Sequence, residues 1–305
     1  MNQPESLVTV VIPTRNRAEL LRVAIDSVLS SPLITTPDQV IVVDDDSSDG
    51  TAQVVAAAGV RYLRVKLGGP APVRNAGLAL VETPYVAFLD DDDCWLPGNM
   101  IAQLGALEAA PDAAFAYGRF QLTDENLVPI GPAYPEGPLP SGRIVDFLYL
   151  NNIQLGTILF RTGAVREIGR FEEFIRFGED QDLLLRLTDR WPAVGVECTG
   201  SLFRQRQRSH DETKYHLAGI RANKERMRRN EALGIRPSRR AALISSWRFR
   251  GQAAWTLCID AAFAANERRR KDAALLLLNA VRLSPPHAML RNQAFWKTAW
   301  AIARS

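Results

Sequence analysis

Residues 84–95 read Pro84-Tyr85-Val86-Ala87-Phe88-Leu89-Asp90-Asp91-Asp92-Asp93-Cys94-Trp95, an apolar segment that runs into four consecutive carboxylates and out again to a tryptophan. Runs of like charge are ordinarily solvated turns among polar neighbours. Here Val86, Phe88 and Leu89 lead in, and Trp95, Leu96 and Pro97 lead out. Carboxylates at the carboxyl end of a buried strand are the ligand type that a hard cation takes. The stretch therefore reads as a core strand ending in a ligand site.

Upstream, the same strand-then-helix pattern recurs. Leu7 to Ile12 is a β-rich run closed by Pro13, and Ala18 to Leu29 then puts Leu20, Leu21, Ala24, Ile25 and Val28 on one helical face. The spacing predicts further pairs at Val40 to Val43 with Thr51 to Ala58, and Tyr62 to Val65 with Val73 to Val81. A fourth joins Tyr85 to Leu89 with Pro97 to Ala109. Short apolar strands alternating with helices predict an α/β fold with a mainly parallel sheet and flanking helices. Ligands of such sheets bind beyond the carboxyl ends of the strands. Polar clusters stand at three of these ends: Thr14 to Arg17, Asp44 to Gly50, and Asp90 to Asp93.

The chain has 305 residues, 47% of them hydrophobic and 23% charged, which suits a large domain with an appendage. Cys94, Cys198 and Cys258 are too scattered for a disulfide framework or a zinc site, so a reducing compartment is expected. A signal peptide or membrane span is not expected, since neither a basic-then-apolar leader nor a long uncharged apolar run occurs. The net charge of +3 divides sharply: residues 1–203 carry 15 Lys/Arg against 27 Asp/Glu, and residues 204–305 carry 22 against 7. The acidic and basic parts should meet different partners.

Four segments, VTVVIPTRNRAELLRVAIDSVL, VIVVDDDSSDGT, PVRNAGLALVETPYVAFLDDDDCWLP and FGEDQDLLLR, in this order, resemble the family 2 inverting glycosyltransferases of GT-A fold over about residues 5–205. The resemblance implies a GT-A catalytic domain at 1–205, with a nucleotide-sugar half to about residue 110 and an acceptor half beyond it, then a basic helical C-terminal region at 206–305. It also implies transfer of a sugar from a nucleotide-diphospho-sugar to a hydroxyl of a saccharide or lipid-linked saccharide acceptor, in surface polysaccharide or glycoconjugate synthesis. A diphosphate leaving group gains negative charge in the transition state, so Mg²⁺ or Mn²⁺ held by carboxylates is the expected cofactor.

By the same resemblance, Asp92 is the metal ligand, and Asp90 and Asp91 reach ribose or coordinated water. Asp45 accepts a hydrogen bond from the donor's base; its alternative role is a cap for the helix beginning near Gly50, for which Ser47, Ser48 or Asp49 is better suited. Pro13 and Arg15 frame base and ribose. This sequence departs from the family here, with Arg15 at a commonly aromatic position and Asp46 where a small residue such as glycine is usual. A guanidinium can substitute for a ring by stacking. Arg74 lies near the nucleotide, or else is a surface helix charge. Asp180 is the base that deprotonates the acceptor hydroxyl, a role compatible with capping the following helix.

Five prolines between Leu127 and Gly142 exclude a helix and predict a stiff loop, either an acceptor-recognition element or a plain connection. His210 is open to a metal-binding or a surface role. The basic C-terminal region, with Arg221, Lys224, Arg226, Arg228, Arg229, Arg239 and Arg240 near Trp247 and Trp255, suits an anionic membrane surface better than nucleic acid. The expected location is cytoplasmic, with the C-terminal helices either peripheral on the inner membrane face or only packed on the catalytic domain. Rival readings are a sugar nucleotidyltransferase, which lacks its glycine-rich loop here, and a non-catalytic glycan- or nucleotide-binding scaffold. A haloacid dehalogenase-type phosphatase fails on the spacing around Asp92.

Overall fold

A computed structural model describes residues 6–175, 177–205 and 228–242. Strands β1 (Val8–Thr14), β2 (Val40–Asp45), β3 (Arg61–Val65) and β4 (Tyr85–Phe88) pair in parallel, with β1 between β2 and β4. Helices α1 (Ala18–Leu29), α2 (Thr51–Ala58) and α3 (Pro70–Ala79) connect them. Successive side chains alternate between two cores, as strand geometry requires. Val11, Ile41, Val43, Val86 and Phe88 join one; Val10, Ile12, Val40, Val42, Ala87 and Leu89 join the other.

Pro13 sits in this central strand without disrupting it. It has the parity of Val11, whose carbonyl accepts from Leu89 N–H at 3.1 Å. Its missing donor therefore faces the β4 side, past the last paired residue of that strand, Phe88. The strand order reverses between β1 and β4, and at this carboxyl edge Thr14 and the aspartates come together, Thr14 Oγ donating to Asp91 at 2.8 Å.

Beyond β4, past the strands that the sequence pattern marked, the sheet is mixed. Strand β7 (Ile158–Arg161) runs antiparallel to both β4 and β6 (Phe115–Thr123). Strand β8 (Ala193–Arg204) lies parallel to β6, and the two-residue β5 (Cys94–Trp95) is antiparallel to β8. The order across the eight strands is β3-β2-β1-β4-β7-β6-β8-β5. Because Cys94 and Trp95 extend to meet β8 and Met100 adopts φ 69°, the next helix, α4 (Ile101–Ala109), starts at Ile101 rather than Pro97. Helices α5 (Val145–Leu150), α6 (Thr162–Glu167) and α7 (Glu179–Arg190) complete the core around Phe88 and Phe160. Residues 228–236 belong to the same compact unit, and 237–242 to a second. Among the described residues, no helix is long and apolar enough to cross a membrane.

Candidate active site

Two turns at the carboxyl edge interlock. The Asn16 side chain accepts from Ser48 N–H at 2.8 Å, and Asn16 N–H donates to Ser47 Oγ at 2.8 Å. Asp49 accepts from Thr51 N–H at 3.1 Å and from Ala18 N–H at 3.0 Å, so one carboxylate serves the starts of both α1 and α2. Asp44 fixes the second turn, accepting from Ser47 N–H at 2.9 Å and from the Tyr62 hydroxyl at 2.5 Å. Burial and that hydrogen bond push the Tyr62 phenol up to about 12. Asp46 stands at φ 61°, in the left-handed region that glycine adopts freely, which accounts for a small residue being usual there. It is held by Lys66 and Arg64, each at 2.9 Å, and their hydrogen bonds lower its pKa.

Asp45 caps no helix. Its carboxylate accepts from Leu67 N–H at 2.7 Å and Gly68 N–H at 3.1 Å, with Gly69 N–H further off at 3.4 Å. It thereby shapes the loop that enters α3, and keeps the exposed Arg15 guanidinium at 3.8 Å.

Arg74 is no surface charge: it is 5% exposed. Its guanidinium donates to Asp90 at 2.5 Å and to Glu179 at 2.6 Å, and its carbon end lies 5.7 Å from the Phe171 ring centre. Burial pulls the Arg74 pKa down, but Asp90 and Glu179 outweigh it and hold it above the usual value. Burial and the adjacent Asp180 raise the Glu179 carboxyl, against the pull of Arg74. Asn75, which sequence reasoning passed over, clasps the same segment by donating to Phe171 O at 2.9 Å and accepting from Phe171 N–H at 3.1 Å. Its only sequence signal is the place beside Arg74.

Asp180 lies in the first turn of α7, half-buried, with Oδ1 accepting from Gln181 N–H at 2.7 Å. The capping position belongs to Gly178 at φ 75°, so Asp180 does not cap the helix. Asp182, also in that turn, is fully buried; it accepts from Arg186 at 2.8 Å and from Arg229 at 2.9 Å. Arg229 also pairs with Glu172, which removes it from the free basic surface expected of the C-terminal region.

The four aspartates divide in role. Asp91 is buried and accepts from Thr14 Oγ at 2.8 Å and Arg17 at 2.7 Å. Burial raises its pKa, although Arg17 opposes this. Asp93 is buried against Arg204 N–H at 3.0 Å, and burial, with Asp90 and Asp92 adding to it, drives its carboxyl well above the ordinary range. Asp90 and Asp92 reach the surface, their side chains 34% and 18% exposed, with Arg17 at 3.7 Å from Asp92. No three His, Cys, Asp or Glu side chains among the described residues form a metal cage. Mg²⁺ commonly takes only one or two carboxylates and completes its shell with substrate phosphates and water. The hard oxygens of Asp90 and Asp92, in a cluster whose residual repulsion shows in Asp93, fit that kind of site.

The proline-rich loop is ordered by side chains from the sheet. Arg119 donates to Pro135 O at 2.9 Å, Tyr117 hydroxyl to Pro140 O at 2.7 Å, and Leu139 N–H to Glu197 at 2.9 Å. His210 and the tryptophans at 247 and 255 lie outside the described residues.

This arrangement is a GT-A-like architecture with an acidic strand-edge site. A family model described as glycosyl transferase family 2 matches residues 9–169, and the chain belongs to that family. It is 30% identical over 201 residues to the succinoglycan biosynthesis protein ExoU of Rhizobium meliloti, covering 59% of this chain and 56% of that one. It is 32% identical over 191 residues to the pre-mycofactocin glycosyltransferase of Mycobacterium tuberculosis, covering 60% and 39%. The chain thus spans little more than half, or less, of these relatives' length. Among solved structures, S. aureus TarS 1-349 in complex with UDP-GlcNAc aligns with a TM-score of 0.59 at 17% identity, covering 98% of this chain and 88% of that one, and shares the fold.

Proposed function

We propose that the protein is an inverting glycosyltransferase that moves a sugar from a nucleotide-diphospho-sugar to a hydroxyl of a saccharide or lipid-linked saccharide. The observation that carries this reading is the double hydrogen bond of Arg74, which fastens the aspartate turn to the start of α7. Donor-side and acceptor-side carboxylates are then a single rigid set, as transfer between two substrates requires.

In this reading Asp45, Arg15 and Pro13 frame the base and ribose, and Asp90 and Asp91 reach ribose or coordinated water. Asp92, with Asp90 beside it, holds Mg²⁺ or Mn²⁺; when bound, the cation offsets charge developing on the leaving diphosphate. The Asp180 carboxylate takes the proton of the acceptor hydroxyl. The hydroxyl oxygen bonds to the anomeric carbon as the carbon–phosphate oxygen bond breaks, from the opposite face, so the configuration inverts. The name of the ExoU relative supports a place in polysaccharide synthesis, and the UDP-GlcNAc complex of TarS supports a nucleotide-sugar donor. The basic C-terminal region would bring the enzyme to an anionic, cytoplasmic membrane face, where a lipid-linked acceptor resides.

The test is a thermal-shift screen of nucleotide-diphospho-sugars with and without Mn²⁺, followed by assay of nucleotide diphosphate release. A ligand that binds the native state alone raises the melting temperature. Absence of both a metal-dependent shift and any release across common UDP-, GDP- and dTDP-sugars would count against the assignment.

A further inference from the structure

The first turn of α7 is anchored from two directions. Glu179 is held by Arg74 at 2.6 Å, and Asp182, three residues on, accepts from Arg229 Nη1 at 2.9 Å and from Arg186 Nε at 2.8 Å. Residues three apart share one face of a helix, so these two anchors fix how the turn is rotated about its axis. Asp180 stands between them in sequence and off that face: Glu179 and Asp182 are buried, whereas Asp180 is only half-buried. The second anchor comes from the C-terminal region, 47 residues beyond Asp182. There Asn230 is fully buried, and Ile235 joins the core that holds Leu183 and Leu184 of α7. With its backbone so placed, Arg229 forks: Nη1 reaches Asp182 and Nη2 reaches Glu172, while its guanidinium carbon lies 5.0 Å from the Phe174 ring centre. Arg186 already gives the fully buried Asp182 a cation, and its remaining nitrogens donate to Ile168 O at 2.8 Å and Arg170 O at 2.7 Å. What Arg229 adds is a bridge, from the first turn of α7 to the segment that leads into it.

We propose that Arg229 is a positioning residue for the base of the transfer reaction: by bridging Asp182 and Glu172 it fixes the first turn of α7, and with it the direction of the Asp180 carboxylate. This inference rests on the glycosyltransferase reading above. A general base works only within hydrogen-bond reach of the proton it takes, and a small misplacement forfeits much of the rate. Its partners Glu172, Asp182 and Phe174 are none of the residues assigned to the donor, so the effect falls on the chemical step and spares donor binding. The C-terminal region thereby contributes to the catalytic geometry as well as to the surface.

The experiment uses the full chain with the nucleotide-sugar that gives the largest thermal shift. Turnover is read as nucleotide diphosphate released, with methyl hexosides of gluco, galacto and manno configuration or water as acceptor, since either hydroxyl must give up a proton. Arg229→Lys keeps a charge beside Asp182 but cannot fork to two carboxylates. Its kcat should fall about tenfold or more, while donor KM and the donor-induced melting shift stay at the parent values. Glu172→Gln leaves Asp182 paired with both arginines and weakens only the other arm, so its kcat should fall severalfold with the same unchanged donor shift. A contact that serves stability alone would be satisfied by the lysine. Parental kcat in either folded variant, or kcat lost in step with donor affinity, would overturn the positioning role. Where Arg229→Lys folds poorly, Glu172→Gln decides alone. A parent protein that shows neither donor shift nor release overturns the underlying reading instead.

Discussion

Arg74 and Glu179 are 105 residues apart in sequence and joined by a buried hydrogen bond of 2.6 Å, while the other arm of the same guanidinium holds Asp90. A cation buried between two carboxylates forces their two turns into one geometry, because leaving either unpaired in the interior is costly. Phe88 and Phe171 meet edge to face at 5.0 Å beneath it, so apolar packing and ion pairing hold the same junction.

The junction makes Arg74 the most sensitive single position. Arg74→Ala should destabilise the fold by about 3–5 kcal/mol, the usual cost of breaking a buried pair. Arg74→Lys retains the charge but cannot fork to two carboxylates, and should lose part of the stability and most of the activity. Chemical denaturation with a turnover assay checks both; a Lys variant with parental activity would show that bridging is dispensable.

Asp92→Asn should reduce metal-dependent turnover about a hundredfold or more, since an amide is a weaker ligand for a hard cation and leaves its neighbours uncompensated. Folding should change little, because the Asp92 side chain reaches the surface. Titrating Mn²⁺ against the variant and parent separates weakened metal binding from a slower chemical step.

Asp180→Asn should keep donor binding and lose transfer, as the amide cannot accept the hydroxyl proton. The capping position is Gly178, so helix α7 should survive the change. Equal losses of donor affinity and transfer would instead mark Asp180 as a donor ligand.

The strand-helix units to Phe88 were legible because β1, β2 and β4 are buried on both faces and read as largely apolar runs, while the half-exposed edge strand β3 is bracketed by clear helices. The mixed half was not, since its pairing joins distant segments: β5 is only Cys94–Trp95 and exists through β8, a hundred residues on. The aspartate cluster stood out as an anomaly in the sequence, and so did Asp180 through its motif. The partners of Arg74 could not be read, nor could the burial of Asp182 or its tie to Arg229, because nothing local encodes them. Arg229 looked like one of many surface arginines until its carboxylates were in view.

Tyr62 provides a pH test of the second turn. Its phenol is raised from about 10 to about 12 in the folded protein, so the protonated form is favoured by folding. The associated stability is fully present below pH 10 and is lost as pH rises through about 12. Following phenolate absorbance should show a titration near pH 12 in the parent that is missing from Tyr62→Phe. The variant's stability should fall less steeply over the same interval.

Membrane association of the basic region is best tested with Arg229 left intact. Each Lys or Arg near an anionic leaflet contributes about 1 kcal/mol, so a few surface arginines suffice to hold the protein there. Reversing Arg229 would strip a guanidinium from the fully buried Asp182 and place a new carboxylate beside it, so lost binding could reflect misfolding. Arg228, Arg239 and Arg240 are not tied in this way: Arg239 and Arg240 are exposed, and so is Arg228. Changing these three with Arg226 to glutamate should abolish co-sedimentation with phosphatidylserine vesicles at low salt while leaving the melting temperature near the parent's. The parent's binding should weaken as salt rises, by screening. A parent protein that stays in the supernatant with such vesicles at low salt would leave the basic region without a membrane role.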